Sequence, residues 1–523
     1  MPRLPAAWRR TVRWGAGSMT AVSTAVPAPP PTRRERALRS APAAWVTALL
    51  LGGFALWLRL WNLGRVGTLV FDETYYVKDG YTLTQRGVEM AWPDEPNPAF
   101  EAGDVNSFLD SGQYVVHPPV GKWLIGLGQM ALGAQDPVSW RISTAVVGAL
   151  TVVMMVLITR RLLGSLLLGA IAGLLMSVDG VHLVHSRTGL LDLFLMAFIL
   201  GGFGLLLIDR DRADARWRAG LPLGFRWWRL AAGVSLGLAC SVKWSGLYAL
   251  AVCGILTVWW DWTRRRRGGD KRWLRRGFTH DAVPAFLQTV PVAAVVYAAS
   301  WTGWFITPYG YFRDWAAQNG HADAPGVWQA VLSFAHYHRE AYEFHVGLST
   351  PHDYQANPLG WLLQLRPTSF YYRNYTYGEH GCAVEKCSAA ITSLGNPLLW
   401  WLASLSLLLV IWAALRWRDG RAWVILAGLA GTYLPWLLYM DRTIFTFYTI
   451  VFEPFMVLAL VFAFGLLIGG RSASDLRRFT GVMAVASLTC LIVLVSAFFF
   501  PVWTAEVIPY QQWQLRMWLP SWI

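Results

Sequence analysis

Long apolar runs recur along most of this chain, and several are about as long as a bilayer is thick. Hydrophobic residues make up 55% of the 523 residues and charged residues only 15%, which is too apolar for a soluble globular protein. A helix needs about 20 apolar residues to cross the hydrocarbon core of a membrane. The 31 Trp and 19 Tyr suit many membrane–water interfaces. We therefore predict an all-α polytopic membrane protein.

Hydropathy and basic turns together predict about 11 transmembrane helices, with the N-terminus cytoplasmic and the C-terminus extracytoplasmic. The predicted spans are 44–63, 140–158, 166–184, 189–208, 230–242, 245–260, 283–305, 394–415, 422–440, 443–468 and 481–500. Every strongly basic turn falls on one side of this alternation, which the positive-inside rule assigns to the cytoplasm. The same turns account for the net charge of +14 without nucleic acid as a partner.

Two domains are predicted from composition. Residues 1–43, with Pro, Ala and many Arg but no long apolar core, are expected to form a disordered basic cytoplasmic tail rather than a cleavable signal peptide. Residues 44–523 are expected to form a transmembrane domain with extracytoplasmic loops at 64–139 and 306–392. Cys382 and Cys387 share the second loop and could form a disulfide there, although spacing alone does not fix the geometry.

The acidic pair Asp72-Glu73 comes directly after the first apolar run. Carboxylates beside lipid are costly and need a reason, which could be a general base, a cation site or simply a solvated loop start. Adjacent residues on an extended segment point in opposite directions, so only one of them is expected to face a reaction centre. Shielding by Phe71, Tyr75 and Tyr76 would raise the pKa of a carboxyl group and so suit a general base.

Further charged residues are predicted at or near the outer ends of the spans. They are Arg59, His117, Lys122, Arg141, Arg187, Asp192 and Lys243. This clustering predicts a site at the outer face that uses both carboxylates and cations. His117 and Lys122 would also fit a helix start with a snorkelling lysine. Asp192 is predicted to lie inside a span, where it needs a partner or a substrate, and Lys243 could hold a phosphate.

No metal site is predicted. Asp179, His182 and His185 have the i, i+3, i+6 spacing of a helical metal site, but an interfacial helix end is the favoured interpretation. The chain has no evident P-loop or Rossmann fingerprint. Any group donor is therefore expected to be lipid-linked and reached from the bilayer. No cofactor is predicted beyond that donor, and dependence on a divalent metal stays open.

Five motifs, in this order along the chain, resemble those of the bacterial, actinobacterial-type protein O-mannosyltransferases. They are VFDE at 70–73, HPPVGK at 117–122, SR at 186–187 with LLD at 190–192, SVKWSG at 241–246 and GNPLLWW at 395–401. The resemblance implies a C-type glycosyltransferase fold. It also implies transfer of mannose, with inversion, from polyprenyl-phosphate mannose to Ser or Thr hydroxyls of exported proteins. The second outer loop is too short for the MIR (β-trefoil) domain of eukaryotic members.

The resemblance also implies roles for particular residues. The family's acidic pair corresponds to Asp72 and Glu73, and two family arginines correspond to Arg59 and Arg141. The expected location is the cell (plasma) membrane, with an extracytoplasmic active site. The expected partners are the donor lipid, exported Ser/Thr-containing proteins and the Sec translocon.

The chemistry suits these residues. A Ser or Thr hydroxyl is a poor nucleophile, so a carboxylate that accepts its proton assists attack on the sugar. Asp72 is the predicted base, with Glu73 supporting it or binding the acceptor backbone. Arg141, Lys243 and Arg187 could stabilise the leaving phosphate. The alternatives are a C-type transferase that moves another lipid-linked sugar, such as arabinose, to glycan or lipid, and a membrane transporter or flippase.

Overall fold

The computed structural model describes residues 41–470 and 473–523, and these are mostly helical. The first half contains α1 (Ala41–Leu60), α2 (Glu73–Arg86), α3 (Asn97–Glu101), α4 (Val120–Leu132), α5 (Pro137–Leu163), α6 (Leu166–Val178), α7 (Gly180–His185), α8 (Asp192–Arg218), α9 (Trp227–Cys240) and α10 (Gly246–Arg267). The second half contains α11 (Trp273–Gly277), α12 (Val283–Ser300), α13 (Thr302–Ile306), α14 (Gly326–Gly347), α15 (Pro397–Arg416), α16 (Gly420–Thr432), α17 (Glu453–Ile468), α18 (Asp475–Trp503) and α19 (Tyr510–Gln514).

Six helices in the described ranges are long and apolar enough to cross a membrane. They are α1, α5, α8, the continuous segment Trp273–Ser300, α15 and α18. The helices α6 and α17 are apolar but shorter. The structure therefore agrees with a multi-pass membrane protein, while the number of 11 spans and their orientation stay predictions. Residues 1–40 of the predicted tail lie outside the described residues. Residues 41–43, the rest of the predicted tail, belong to α1.

Several predicted spans are interrupted in the structure; the span predicted at 422–440, for example, is α-helical only to Thr432 and continues as a 3₁₀ turn, Leu434–Leu438. The span predicted at 166–184 breaks at Asp179, because its carboxylate accepts hydrogen bonds from the backbone N–H groups of Val181 and Asn396 and so caps α7. The span predicted at 443–468 begins as a 3₁₀ turn, Thr446–Val451, and its α-helix starts only at Glu453. A proline in the first turn suits this late start, because its missing N–H is not needed there.

A small antiparallel sheet departs from the predicted all-α fold. Its strands are β1 (Thr368–Thr376), β2 (Lys386–Ser393) and β3 (Ile508–Pro509), in that order. A disulfide joins Cys382, in the connection between β1 and β2, to Cys387 of β2, with Cα atoms 5.9 Å apart. Aromatic side chains of β1 and α18 belong to one buried cluster, so the sheet is anchored to the helical body.

Close backbone contact holds α2 against α4. A Cβ atom on Gly126 would lie only 2.5 Å from the carbonyl oxygen of Gly80, and one on Gly80 only 2.7 Å from the carbonyl oxygen of Lys122. Only glycine permits this approach. The gap between the two helices therefore depends on both glycines, and it positions the N-terminus of α2, where the acidic pair lies.

Candidate functional site

The backbone immediately before the acidic pair is held in an unusual conformation. Phe71 has a φ of 48°, in the left-handed region that residues with a Cβ seldom adopt. Its ring stacks on Phe370 of β1, with centroids 4.7 Å apart, and meets Phe447 edge-on at 5.2 Å. These contacts hold the turn, and α2 starts two residues later. The sheet and the 3₁₀ turn thereby orient Asp72 and Glu73.

Glu73 is wholly buried and fully hydrogen-bonded. Its carboxylate accepts bonds from Arg141 Nε at 2.8 Å and from Arg141 Nη2 at 2.7 Å. It also accepts the backbone N–H groups of Gly189 at 2.7 Å and Val70 at 3.0 Å. A bidentate arginine pair of this kind is strong and directional. These four bonds join the first loop to the start of α5 and to the turn before α8.

Asp72 has a different environment. It is partly exposed, and its one side-chain hydrogen bond among the described residues comes from the Tyr76 hydroxyl, at 3.3 Å. Burial raises the pKa of Asp72 to about 6, Lys243 opposes this rise, and the negative charge of Asp192 adds to it. Asp72 therefore keeps a carboxylate oxygen available near neutral pH, whereas the Glu73 oxygens are all engaged.

A cavity of about 280 Å³, here named the Lys243 cavity, lies among the segment before α4, the N-terminal ends of α8 and α10, the helix α14 and the segment before α17. It is lined by His117, Asp192, Lys243, Trp244, Ser245, Leu247, Tyr248, Tyr342, His345, Val346, Pro435, Trp436, Tyr439, Arg442 and Tyr448. Its aromatic and apolar walls would suit a lipid chain, and its charges a polar headgroup. The Tyr76 hydroxyl donates to Asp72, and the Tyr76 ring lies 6.2 Å from the ring of His117 in the cavity wall, so the candidate base is close to this cavity.

Two cations line the Lys243 cavity. Lys243 donates to Asp192 Oδ2 at 2.7 Å and lies 5.3 Å from the centre of the Tyr448 ring. Arg442 donates through Nη2 to His345 Nδ1 at 3.3 Å, while His345 Nε2 donates to the carbonyl of Val116 at 2.9 Å.

The two histidines of this cavity are neutral. Burial lowers the pKa of His345 to about 4 and that of His117 well below its usual value. Their rings stack with centroids 5.1 Å apart. The positive charge available to an anionic ligand in the Lys243 cavity therefore comes from Lys243 and Arg442.

Three predicted site arginines lie outside the lining of the Lys243 cavity. Arg141 binds Glu73 and also donates to the carbonyls of Leu63, Val66 and Thr68. Arg187 Nη1 donates to the carbonyls of Leu58, Arg59 and Trp61.

Arg59 is also buried, with its side chain committed to other groups. It donates to the carbonyls of Ala55 and Ser177 and is 2.5 Å from His182 Nδ1. A cationic side chain that binds the free carbonyls at a helix C-terminus stabilises the helix, and Arg187 binds such carbonyls at the end of α1. Arg141 therefore holds the loop that carries the acidic pair. Arg187 holds the end of α1 before this loop, and Arg59 joins α1 to α6 and α7.

Asp192 is the first residue of α8, a helix long and apolar enough to span the membrane. The helix starts three residues later than the span predicted from 189. The Gly189 N–H donates to Glu73, and the Thr188 hydroxyl donates to the carbonyl of Val184, so these residues form a turn before the helix. Asp192 thus faces the Lys243 cavity from a helix N-terminus, where a carboxylate is favourable. Its predicted need for a partner is met by Lys243.

A second cavity, of about 330 Å³ and here named the Trp92 cavity, lies along α2. It is lined by Thr74, Tyr75, Lys78, Asp79, Ala91, Trp92, Pro96 and Gln113. Three of its polar atoms have no partner among the described residues: Asp79 Oδ1, Trp92 Nε1 and Gln113 Oε1. Asp79 is buried, and an unpaired buried oxygen costs free energy unless a ligand or water satisfies it.

The remaining predicted residues have structural partners. Lys122 is buried between the carboxylates of Asp79, at 3.8 Å, and Glu89, and it lies outside the linings of both cavities. His182 contacts Arg59 and Thr151, and His185 Nδ1 contacts the carbonyl of Val181. In residues 41–470 and 473–523, no three His, Cys, Asp or Glu side chains are grouped so as to hold a metal ion.

Sequence reasoning missed much of the Lys243 cavity, including His345, Arg442 and Tyr448. These three lie outside the five motifs, and no spacing linked them to Lys243. It also missed Glu453, a buried carboxylate whose two oxygens have no partner among the described residues. The available signal for Glu453 was a lone acid within a predicted span.

Comparison with known proteins identifies the family. Residues 49–302 match the family described as dolichyl-phosphate-mannose-protein mannosyltransferase, and residues 330–522 match its C-terminal four-transmembrane region. A polyprenol-phosphate-mannose–protein mannosyltransferase of Mycolicibacterium smegmatis is 34% identical, over 91% of this chain and 93% of the relative. The Mycobacterium tuberculosis protein of that name is 33% identical, over 91% and 92%.

Solved structures share the fold. The S. cerevisiae protein O-mannosyltransferase complex bound to the sugar donor aligns over 94% of both chains, with a TM-score of 0.72 and 15% identity. The oligosaccharyltransferase of Archaeoglobus fulgidus aligns over 91% of this chain and 57% of its own, with a TM-score of 0.52 and 14% identity. The predicted C-type glycosyltransferase fold is confirmed. This chain belongs to the dolichyl-phosphate-mannose–protein mannosyltransferase family of membrane glycosyltransferases.

Proposed function

We propose that this enzyme transfers mannose from polyprenyl-phosphate mannose to Ser or Thr hydroxyls of exported proteins. The reaction would occur at the extracytoplasmic face of the plasma membrane. The observation that carries the proposal is the pairing of an available carboxylate, Asp72, with a nearby cavity whose cations are Lys243 and Arg442. A glycosyl transfer from a lipid phosphate needs both a base and a site for the phosphate that leaves.

The donor would bind in the Lys243 cavity. Arg442 and Lys243 would hold the phosphate, since both are cations with donors that can reach an oxyanion. Trp244, Tyr248 and Trp436 would contact the apolar carrier and the sugar ring. Lys243 already binds Asp192, and this bond fixes the position of the lysine. The phosphate would therefore share Lys243 with the carboxylate of Asp192.

The acceptor would lie in the Trp92 cavity, which α2 lines with Thr74, Tyr75 and Lys78. A peptide backbone offers alternating N–H donors and C=O acceptors. The unpaired oxygens of Asp79 and Gln113 could accept such N–H groups, and the unpaired Trp92 Nε1 could donate to a carbonyl. This would bring an acceptor hydroxyl to the N-terminal end of α2, where Asp72 lies.

The reaction would then be a single displacement with inversion. The acceptor oxygen attacks the anomeric carbon while Asp72 accepts its proton. The bond between that carbon and the phosphate oxygen breaks, and the oxygen keeps the electron pair. The polyprenyl phosphate thus gains charge, which Arg442 and Lys243 stabilise. Glu73 would act only by holding the loop, because all its hydrogen-bonding capacity is used by Arg141 and the backbone.

The test is transfer by the purified full-length enzyme in vesicles. Polyprenyl-phosphate mannose and a Ser/Thr-containing peptide should give a peptide that is one hexose heavier, with the anomeric configuration opposite to that of the donor. A peptide with Ala at every Ser and Thr should give no product. Transfer only from a different lipid-linked sugar, such as arabinose, or only to a glycan or lipid acceptor, would contradict the proposal.

A further inference from the structure

A third cavity, of about 950 Å³, lies at the opposite ends of the helices that form the Lys243 cavity. It is bounded by the C-terminal ends of α8 and α10 and by the turn between α15 and α16. The helix α8 starts at Asp192 in the Lys243 cavity and runs for 27 residues, which is about 40 Å at 1.5 Å per residue. This length is about that of a bilayer with its headgroups, so the two cavities belong to opposite membrane surfaces.

Arginines dominate the lining of this cavity, which we name the arginine cavity. They are Arg210, Arg218, Arg264, Arg267, Arg418 and Arg421. The only carboxylates in the described lining are Asp214 and Asp419. Six arginines against two aspartates leave a formal excess of four positive charges. Arginine clusters of this kind suit phosphate, because the planar guanidinium binds its oxygens in pairs.

Several of these arginines have no carboxylate partner in the described part of the fold. Arg210 binds Asp211, Arg264 binds Asp214 and Asp261, and Arg421 binds Asp419. By contrast, Arg218, Arg267 and Arg418 form no ion pair with a carboxylate among the described residues, and all three are exposed. Arg218 donates to the backbone carbonyl of Asp214. The positive charge of the arginine cavity is therefore available to a ligand.

Arg418 lies in the turn that ends α15. Its φ of 54° is the left-handed conformation of a helix C-terminal cap, in which the backbone N–H of Asp419 donates to the carbonyl of Ala413. This turn holds Arg418 at the wall of the arginine cavity.

The rest of the lining is aromatic and apolar. Trp217, Trp259, Trp260 and Trp423 contribute indole rings, and Ala414 and Leu415 contribute aliphatic surface. Tryptophan is favoured at the level of lipid headgroups, where one part of the ring is wet and the other apolar. A ligand that fits this lining has an anionic head and an apolar body. A free anion would leave the apolar wall without a contact.

We propose that the arginine cavity binds the phosphate headgroup of an anionic phospholipid. Basic pockets between membrane helices bind such headgroups. The site is separate from the candidate active site and does not depend on the proposed reaction. The bound lipid would bridge the end of the α8–α10 pair to the α15–α16 turn, and would thus stabilise the packing of the N-terminal and C-terminal helices.

The test measures lipid binding to the full-length protein purified in a mild detergent. Native mass spectrometry would count bound phosphatidylglycerol, with phosphatidylcholine as the neutral lipid. The variant Arg267→Gln/Arg418→Gln should bind phosphatidylglycerol about 25-fold more weakly, because the loss of each arginine should weaken binding about fivefold. Binding of phosphatidylcholine should not change. The double lysine variant, Arg267→Lys/Arg418→Lys, should show an intermediate loss, because charge remains without the paired geometry.

The matched control is Arg272→Gln/Arg275→Gln, two exposed arginines of the same basic region that do not line the arginine cavity. It removes the same charge and should bind phosphatidylglycerol like the unchanged protein. Equal losses in both double variants would indicate general surface attraction and overturn the proposal. Inorganic phosphate at millimolar concentration should not displace the lipid. Displacement by phosphate alone would assign the site to a soluble anion instead and would also overturn it.

Discussion

Glu73 is buried and fully hydrogen-bonded, whereas the adjacent Asp72 is partly exposed, and this difference gives a prediction for Glu73→Gln. An amide can accept fewer of the four bonds that Glu73 accepts, and its NH₂ group would face donors of Arg141, Gly189 or Val70. The Arg141 side chain is only 2% exposed, so its charge would stay buried without a counter-charge. Removal of one partner of a buried ion pair costs about 3–5 kcal/mol. We therefore expect Glu73→Gln to lower the free energy of unfolding by about that amount.

The assay is unfolding of the purified protein in mixed micelles with increasing denaturing detergent. Asp72→Asn is the matched control, because it makes the same change one residue earlier in a partly exposed side chain with one long hydrogen bond. It should lower the free energy of unfolding by less than about 1.5 kcal/mol. The double variant Glu73→Gln/Arg141→Gln should cost less than the sum of its single changes. Unchanged stability in Glu73→Gln, together with lost activity, would refute a holding role and make Glu73 a reacting group.

Two further predictions concern the site, and a third concerns the sheet. If Asp72 is the base, it must be ionised to accept the proton, and its pKa is raised to about 6, so kcat/KM should fall as the pH drops below about 6. Lys243→Met removes the cation that lowers this pKa, so the fall in kcat/KM should move to higher pH. An unmoved profile would argue against the Asp72–Lys243 interaction. Arg442→Gln should raise the KM for donor about tenfold or more through loss of a charged hydrogen bond, with an unchanged KM for peptide as the internal control. Cys382→Ser/Cys387→Ser should lower the unfolding temperature, because the disulfide closes the chain between these residues. Cys490→Ser, at an exposed free cysteine, is the control variant and should leave the unfolding temperature unchanged.

The spans and the motif-bearing turns followed from local pattern. Apolar length and basic flanks were enough to predict helices at α1, α5 and α8, and the turn at Lys243 between α9 and α10. Each of these depends on residues close together in sequence. The interruption at Asp179 did not follow, because it needs Asn396 and Trp400 from α15 as partners.

Roles within the site depended on contacts across the chain. Asp72 and Glu73 are adjacent in sequence, so only their hydrogen-bond partners distinguish them. Glu73 binds Arg141, which is 68 residues away in the chain. Arg442 reaches the Lys243 cavity from a segment without a motif. The left-handed backbone of Phe71 is held by rings from β1 and the 3₁₀ turn, so no local pattern could predict it.

The role of Asp72 as the base is tested most directly by the rate of mannose transfer by Asp72→Asn at saturating donor and peptide. We expect a loss of about 10²- to 10⁴-fold, with donor binding and unfolding close to those of the unchanged enzyme. Asp94→Asn, the same change at an exposed acid of the first loop, should keep full activity. Near-normal transfer by folded Asp72→Asn would contradict the assignment of Asp72 as the base.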